Sequence, residues 1–349
     1  AASRKVNGRG GWYDNSHIAR RCKVSMRQWW VVPGDTGGEF EYRDVEMPAA
    51  GPGQVLIRVC AAGVNRGELL TLPAMRLSDT SAKPRRSGIE FAGKIVALGA
   101  ETAGWSIGDR VMGRGAACHA EFVVSSSTAL MRAPEGLSFA QAAAIPNVFV
   151  TAHDALVSAA AVKKGETVLV TAGSSGVGSA AIQIARYLGA KNVLATTRSG
   201  EKNSALTALG ATHIVNTNTQ NWSAEVRDAV DAVDVVIDQV GGVYFPYLLE
   251  TMAVGGRFIS VGRNGGRQAD LDLDLMSKNR LVLIGVTFRT RTPSEAQACS
   301  DRFVDDLLPA FTSGELRAVL DRSFPLEQLP EALAYMEADQ QVGKIVLCA

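Results

Sequence analysis

The feature that most constrains the fold is segment 168–189, where an apolar β-branched run breaks at a glycine-rich turn and continues as small residues. Gly173 permits a tight exit from the strand, Gly176 permits the backbone to approach a pyrophosphate, and Gly178 permits close packing of a helix on a sheet. Unpaired N–H groups of the first helical turn would then face an anion. The turn predicts a dinucleotide site, although the pattern Ala172-x-x-x-Gly176-x-Gly178 also fits an ordinary strand, turn and helix.

Length and composition predict a globular protein of two domains. At 349 residues the chain exceeds the size at which one core usually keeps growing, and it is 46% hydrophobic and 20% charged. Residues 1–25 are glycine-rich, contain six Lys or Arg against one acid, and lack periodicity. We interpret them as a disordered or cloning-derived leader, with an organelle transit peptide as the alternative.

Several classes of protein are disfavoured by the sequence. No window approaches 18 uninterrupted apolar residues, so we expect no membrane span. The five cysteines are widely spaced without a C-x-x-C pair, which favours the reducing cytoplasm and neither a disulfide framework nor a zinc knuckle. Outside the leader the chain is mildly acidic and has no basic stripe, which argues against nucleic acid as the main partner.

The hydrophobic pattern divides the chain. From residue 29 to about 133, short strands with frequent Gly and Pro predict a β-rich, barrel-like unit. From residue 146 to 286, apolar strands alternate with helices, which predicts a doubly wound parallel sheet in an α/β fold. Its six predicted strands are Thr167–Ala172, Asn192–Thr197, His213–Asn216, Asp234–Val240, Arg257–Val261 and Leu281–Val286.

The elements after residue 288 are too few to form a domain. Predicted helices at 293–312 and 326–337, with strands at 321–324 and 343–347, are therefore expected to rejoin the N-terminal unit. This divides the chain into a catalytic domain of residues 26–147 and 289–349 and a nucleotide domain of residues 148–288. The cleft between them is the expected site.

Four further motifs accompany the glycine turn. They are Gly88-Ile-Glu-Phe-Ala-Gly93, Gly108-Asp-Arg-Val111, Ala142-Ala-Ala-Ile-Pro146 and Thr151-Ala-His-Asp-Ala-Leu156. Together they resemble the medium-chain dehydrogenase/reductases, and within these the zinc-free quinone oxidoreductases related to zeta-crystallin. The resemblance covers residue 26 to the C-terminus and implies a GroES-like catalytic domain with a six-stranded Rossmann domain.

The resemblance also bears on metal binding. Alcohol dehydrogenases of this superfamily place a zinc-binding Cys where this chain has Asn65, and Gly-His-Glu where it has Gly88-Ile89-Glu90. Isoleucine cannot ligate a metal. We therefore expect no metal and no zinc-assisted alcohol oxidation.

The second strand of the nucleotide domain bears on the cofactor. It ends in Thr197-Arg198-Ser199-Gly-Glu-Lys202, with no acid before Glu201 to accept from a ribose 2′-OH. Arg198 and Lys202 could bind a 2′-phosphate, with a hydrogen bond from Ser199, so NADPH is favoured. The alternative is that both cations are solvated loop charges.

Other cofactor contacts are implied by the turn and by the resemblance. The turn supplies Ser175, Gly176 and Val177 for the pyrophosphate. The resemblance places Asn216 and Thr217 at the adenosine end, where Thr replaces the family's Tyr. Near the nicotinamide it places Asn65, Thr151, Val240, Gly262, Arg263, Thr287 and Phe288. Each could instead serve packing, and for Val240 both roles are equally expected.

The chemistry follows from the residue types present. The sequence shows no Ser/His/Asp set or carboxylate pair, and hydride transfer needs mainly orientation and a water-poor pocket. Asn65 is the predicted catalytic residue, holding a substrate oxyanion, with a loop-capping role as the alternative. Leu70 stands where the family often has Tyr, so the proton donor is left unidentified.

These observations predict a cytoplasmic, NADPH-dependent, zinc-free reductase of quinones or α,β-unsaturated carbonyls. One alternative is an enoyl-thioester reductase, whose substrate phosphate would meet the cationic loop 76–86. Another is a non-catalytic NADPH-binding protein. The resemblance implies a homodimer or higher homo-oligomer through the edge strand near residues 281–286.

Overall fold

The computed structural model describes residues 25–349. The predicted leader lies outside the described residues except for Ser25, which begins the first strand. The strands of the N-terminal half are β1 (Ser25–Pro33), β2 (Gly38–Glu46), β3 (Gln54–Val64), β4 (Arg85–Arg86), β5 (Glu90–Leu98), β6 (Arg110–Arg114), β7 (Phe122–Ser126) and β8 (Leu130–Arg132). Its helices are α1 (Arg66–Leu69), α2 (Phe139–Ala143) and α3 (Pro146–His153).

The remaining elements follow the predicted alternation. The strands are β9 (Thr167–Val170), β10 (Asn192–Thr197), β11 (His213–Asn216), β12 (Val233–Asp238), β13 (Met252–Ser260), β14 (Val282–Gly285), β15 (Leu320–Pro325) and β16 (Lys344–Cys348). The helices are α4 (Gly176–Tyr187), α5 (Asn203–Ala208), α6 (Trp222–Ala229), α7 (Phe245–Glu250), α8 (Leu273–Lys278), α9 (Pro293–Ser313) and α10 (Leu329–Glu337).

The α/β half contains a six-stranded parallel sheet, as predicted. Its strand order is β11-β10-β9-β12-β13-β14, and every neighbouring pair is parallel. The central strand β9 is buried throughout because helices cover both faces of the sheet. From β9 the chain passes to β10 and β11 on one side of the sheet and then crosses to β12, β13 and β14 on the other side. Ligands of such sheets bind at the carboxyl ends of the strands where this change of side occurs.

The β-rich half is completed by the C-terminus, which confirms the expected return of the chain. A seven-stranded sheet contains the path β15-β16-β3-β5-β6-β8, with β7 also paired to β3. Strand β16 pairs antiparallel with β3, so that Ile345 faces Val64. The sheet is the GroES-like unit that the sequence predicts.

One hydrophobic core continues through both halves. It joins Ala61 and Met112 of the β-rich unit to Val168 of the central strand and Phe303 of α9. Helix α3 lies within this core and begins at Pro146, so the predicted boundary between residues 147 and 148 falls inside a helix. The domain limits remain a prediction. No helix of residues 25–349 is both long and apolar enough to cross a membrane.

Candidate active site

The glycine turn begins helix α4 and is arranged to receive an anion. The Ser175 hydroxyl accepts a hydrogen bond from the Gly178 N–H at 3.0 Å and donates one to Gln239 Oε1 at 2.9 Å. The N–H groups of Gly176 and Val177 open the helix and have no intrahelical acceptor. Together with the helix dipole they fit the pyrophosphate of a nicotinamide dinucleotide.

Close contacts with neighbouring atoms explain why the turn residues are small. A Cβ on Gly178 would stand 2.4 Å from the Ala172 carbonyl oxygen. A Cβ on Gly176 would approach Lys344 Cδ and Val148 Cγ1 to 2.9 Å each, so packing within the protein already requires glycine there. Ala172 adopts a φ of 48°, the left-handed conformation that favours glycine.

Arg198 and Lys202 meet at the end of β10, beside an acid from another part of the chain. The Arg198 guanidinium pairs with the Asp339 carboxylate, which also binds Arg66. The Lys202 ammonium donates to the carbonyls of Asp339 and of Gln341, the latter at 2.9 Å. Burial lowers the pKa of Lys202, while the charge of Asp339 opposes that shift. Asp339 is not among the residues predicted from the sequence.

The residues predicted for the adenosine end lie next to these cations. The Thr217 N–H and hydroxyl both donate to the Thr197 carbonyl, at 2.9 and 3.4 Å. Asn216 Oδ1 accepts from the Asn218 N–H at 3.0 Å. Ser199 follows Arg198 and is half-buried. The ends of β10 and β11 therefore place these residues in one group.

Val240 and Gly262 follow the neighbouring strands β12 and β13 at the same edge of the sheet. The Gly262 N–H donates to the Asp238 carbonyl at 3.1 Å, and the Val240 carbonyl accepts from the Gly265 N–H at 2.8 Å. Asp238 Oδ1 accepts from the Thr171 hydroxyl at 2.8 Å and from the Val240 N–H at 3.0 Å. Burial raises the pKa of Asp238, and these hydrogen bonds oppose the shift. Asp238 therefore fixes the strand ends that carry Val240 and Gly262, and Arg263 follows directly.

A buried polar group surrounds Asn65, which immediately precedes α1. Its Nδ2 donates to Glu90 Oε1 at 2.9 Å and to the Gly63 carbonyl at 3.3 Å. Its Oδ1 accepts from Asn147 Nδ2 and from Lys344 Nζ, both at 2.9 Å. Both N–H groups of the amide are thus occupied. The predicted role of Asn65 as a donor to a substrate oxyanion requires the exchange of one of these bonds, and it remains a prediction.

We call Asn65, Glu90, Asn147 and Lys344 the Asn65 cluster. The Lys344 ammonium donates to Glu90 Oε1 at 2.7 Å, and the two side chains are 4% and 0% exposed. The Asn147 N–H donates to Glu90 Oε2 at 2.8 Å, which joins helix α3 to β5. Thr151, one turn further along α3, donates its hydroxyl to the Asn147 carbonyl at 2.6 Å. Asn147 and Lys344 are not among the site residues predicted from the sequence.

A cavity of about 490 Å³ lies beside this cluster. Its lining comes from the α1 region, from the ends of β4 to β6, and from the segment that leads into α9: Gly67, Glu68, Thr71, Arg85, Ile89, Arg114, Gly115, Ala129, Phe288, Arg289, Pro293, Ala296, Gln297 and Ser300. Glu68 connects the cavity to the cluster, because its Oε2 accepts from the Asn65 N–H at 3.2 Å. We call this space the Arg114 cavity.

Arg114 brings a positive charge into a mostly apolar wall. Its guanidinium lies 3.6 Å from the centre of the Phe288 ring, which Arg291 also contacts at 4.9 Å. Burial lowers the pKa of Arg114. Arg114 Nε and Glu68 Oε1 are both buried without a hydrogen-bond partner among the described residues. Thr287 is adjacent, and its hydroxyl accepts from the Arg289 N–H at 3.2 Å.

Comparison with known proteins gives the family of this chain. A family model for the alcohol dehydrogenase GroES-like domain matches residues 51–157, and one for a zinc-binding dehydrogenase matches residues 209–347. Human quinone oxidoreductase is 33% identical over 309 residues, which are 87% of this chain and 92% of the relative. Among residues 25–349, no group of three or more His, Cys, Asp or Glu side chains could hold a metal ion.

Polyketide synthases contain equally similar segments. The spectinabilin polyketide synthase system protein NorB of Streptomyces orinoci is 32% identical over 329 residues, which are 92% of this chain. The chain spans only 14% of the length of NorB. The crystal structure of JamJ enoyl reductase in its apo form has a TM-score of 0.81 and 28% identity, covering 93% of this chain and 99% of that one.

These matches define a medium-chain dehydrogenase/reductase, an oxidoreductase fold that binds a nicotinamide cofactor. The two-part fold agrees with this, as does the glycine turn at the carboxyl edge of a six-stranded parallel sheet. Within that superfamily the chain is a quinone oxidoreductase-like member, since it matches the human enzyme over nearly its whole length.

Proposed function

We propose that this protein is an NADPH-dependent, zinc-independent reductase that acts on quinones or α,β-unsaturated carbonyls. One observation carries the proposal: an anion-binding turn and the Arg114 cavity adjoin the same Asn65 cluster. Lys344 contacts the turn side, and Glu68 contacts the cavity side. A nicotinamide cofactor supplies a hydride to a bound acceptor.

The residues of the cavity suit an acceptor that develops negative charge on oxygen. Ile89 and Phe288 offer apolar surface to a planar unsaturated ring or chain. Arg114 can hold the oxygen of a carbonyl as it becomes an enolate or a hydroquinone anion, because a guanidinium in a partly dehydrated wall interacts strongly with developing charge. Thr151, Val240, Gly262, Arg263, Thr287 and Phe288 are the proposed contacts of the nicotinamide half.

The proposed independence from zinc has a positive structural reason. The ammonium of Lys344 binds Asn65 and Glu90 in the place where zinc members of the superfamily have metal-binding side chains. A cation that is already fixed beside Asn65 disfavours the binding of a second one, because two like charges a few ångströms apart in a buried region repel strongly. Turnover should therefore survive treatment with a strong zinc chelator.

The direct test is steady-state NADPH oxidation with menadione and with an aliphatic enone. We expect turnover with NADPH, and Arg114→Gln should lower kcat by about 10²-fold while leaving NADPH binding unchanged. Arg110→Gln is a matched control in the same strand, since Arg110 lies outside the Arg114 cavity. No turnover with either acceptor would contradict the proposed reaction, and NADPH binding without turnover would support the non-catalytic alternative.

The cofactor assignment has its own test. Arg198→Ala should raise the KM for NADPH about tenfold and leave that for NADH nearly unchanged, because a charge-assisted contact to the 2′-phosphate is lost. Ser199, Lys202, Asn216 and Thr217 are the other proposed contacts at this end. A wild-type preference for NADH would overturn the assignment.

An enoyl-thioester reductase is the second candidate. Arg85 and Arg289 line the Arg114 cavity and are both exposed, so a phosphate-bearing substrate can reach them. The contribution of these charges to substrate binding is measured by comparing crotonyl-CoA with the crotonyl thioester of N-acetylcysteamine, which lacks phosphate. If this candidate is right, Arg85→Ser should raise the KM for crotonyl-CoA alone, and the neighbouring Arg86→Ser, whose side chain is not part of the cavity wall, should not.

We also propose a homodimer in the cytoplasm. Strand β14 lies at the end of the parallel sheet, and Val282 and Leu283 are 45% and 39% exposed there. An apolar edge of this kind is suited to pairing with a second copy. Leu283→Lys should convert a dimer to a monomer in light scattering, whereas a wild-type monomer would contradict the proposal.

A further inference from the structure

Asp339 is an acid at the place where the proposed cofactor carries its extra phosphate. Its Oδ2 pairs with Arg198 and its Oδ1 with Arg66, while Lys202 binds its carbonyl oxygen. Two arginines therefore bind one carboxylate, and a lysine binds the backbone of the same residue. A second acid, Asp321, lies near Lys202, but its oxygens accept from the Tyr335 hydroxyl and the Val342 N–H.

The position of Asp339 is strained as well as crowded. It follows the C-terminus of α10 with a φ of 55°, which is left-handed, and a helix C-terminus disfavours negative charge. The ion pairs with Arg66 and Arg198 offset the unfavourable charge. Because Asp339 and Arg198 side chains are 41% and 61% exposed, the pair is weak enough to be exchanged for a stronger anion.

We infer that Asp339 competes with the 2′-phosphate for Arg198 and thereby sets the discrimination between NADPH and NADH. This inference rests on the proposed function, because it takes Arg198 and Lys202 as the phosphate contacts. When the phosphate binds, the carboxylate leaves Arg198 and keeps Arg66. The carboxylate then lies beside a dianion and weakens its binding, whereas a cofactor without the 2′-phosphate meets no such repulsion.

The test is Asp339→Asn, since asparagine tolerates the left-handed backbone and removes only the charge. We expect the Kd for adenosine 2′,5′-bisphosphate and for NADPH to fall about tenfold, as estimated for one charge removed near a dianion at an exposed site. The Kd for adenosine 5′-monophosphate and for NADH should change less than about twofold. The gain should shrink as the salt concentration rises, because salt screens exposed charges.

Glu337→Gln is the matched control. It makes the same change of charge two residues away, at an exposed side chain with no recorded bond to Arg66, Arg198 or Lys202. Equal shifts for Asp339→Asn and Glu337→Gln would overturn the inference, as would equal shifts for the phosphorylated and unphosphorylated nucleotides. Weaker NADH binding in Asp339→Asn would also overturn it and would identify Asp339 as the acceptor of a ribose hydroxyl.

These titrations do not depend on turnover. A protein that binds NADPH and shows the expected shifts, but reduces no quinone or enone, supports the role of Asp339 and overturns the proposed reaction. A protein that reduces quinones with unaltered nucleotide preference in Asp339→Asn overturns the role of Asp339 alone. A protein that binds none of the four nucleotides overturns both.

Discussion

The substitution Lys344→Met tests how much the Asn65 cluster stabilises the β-rich half. Methionine retains most of the aliphatic stem and removes the ammonium, so that Glu90 is left as a buried carboxylate without its counter-charge. The lost contacts are those to Glu90 Oε1 and the Val64 carbonyl, both 2.7 Å, and to Asn65 Oδ1. Breaking one partner of a buried ion pair costs about 3–5 kcal/mol, and we expect a loss of unfolding free energy in this range.

A double-mutant cycle separates the charge from the packing. Glu90→Gln removes the carboxylate charge, so the variant Lys344→Met/Glu90→Gln contains no unpaired buried ion. The double variant should therefore be more stable than the sum of the single losses predicts, by about 2 kcal/mol or more. Equilibrium unfolding in urea, followed by far-UV circular dichroism, measures all four proteins. Lys191→Met, at an exposed lysine, should change the free energy by less than about 0.5 kcal/mol.

Additive losses in this cycle would refute the reasoning, because they would mean that Lys344 and Glu90 do not depend on each other. A loss below about 1 kcal/mol for Lys344→Met would refute it as well, since the residual charge would then be solvated. If Lys344→Met does not fold, recovery of a cooperative transition in the double variant still measures the coupling.

Three further predictions concern single sites. Burial raises the pKa of Glu166, but its hydrogen bonds to Arg257 and to the Lys163 N–H outweigh this and hold the pKa below the ordinary value. Glu166→Gln should therefore lose about 1–2 kcal/mol in urea unfolding at pH 7. This difference should shrink as the pH falls from about 5 through the lowered pKa, whereas a pH-independent difference would contradict it. Burial raises the pKa of Asp238, so the contribution of this group to stability is lost as the pH rises. The free energy of unfolding of Asp238→Asn should therefore increase relative to that of the wild type from about pH 4 to pH 7. A decrease over this range would contradict the sign. Ala172→Gly should raise the unfolding free energy by up to about 1 kcal/mol by relieving the left-handed φ, and a loss in thermal melts would show that the alanine methyl packs usefully.

The sequence predicts the fold well where burial is strong and local. The strands of the parallel sheet are apolar because helices cover both of their faces, and all six were identified. Strand β2 was missed, because its sequence Gly-Glu-Phe-Glu-Tyr-Arg-Asp-Val-Glu is mainly charged and half-exposed. It is held by pairing with β1 and by the Trp29 ring stacked on Tyr42 at 4.8 Å. Phe40 and Tyr42 do alternate with charged residues, but this alternation is too short to predict a strand by itself.

The candidate site divides in the same way. Ser175 and Gly178 form a local turn, so their roles can be inferred from spacing alone. Asn147 and Lys344 contact Asn65 from distant segments of the chain, and no local sequence pattern predicts these contacts. The lysine does leave a signal, since it begins an otherwise apolar strand, and a lysine buried in such a strand requires a partner.

Two of the distant residues of the site, Asp339 and Lys344, lie at the two ends of one short segment. Its first residue binds Arg198 at the adenosine end, its last residue binds Asn65, and the Gly343 N–H between them donates to the Ser174 carbonyl at 2.8 Å in the glycine turn. Because β16 is also a strand of the β-rich sheet, one wall of the proposed nucleotide site belongs to the β-rich half. A nucleotide bound in the proposed site would therefore contact the glycine turn on one side and the segment 339–344 on the other.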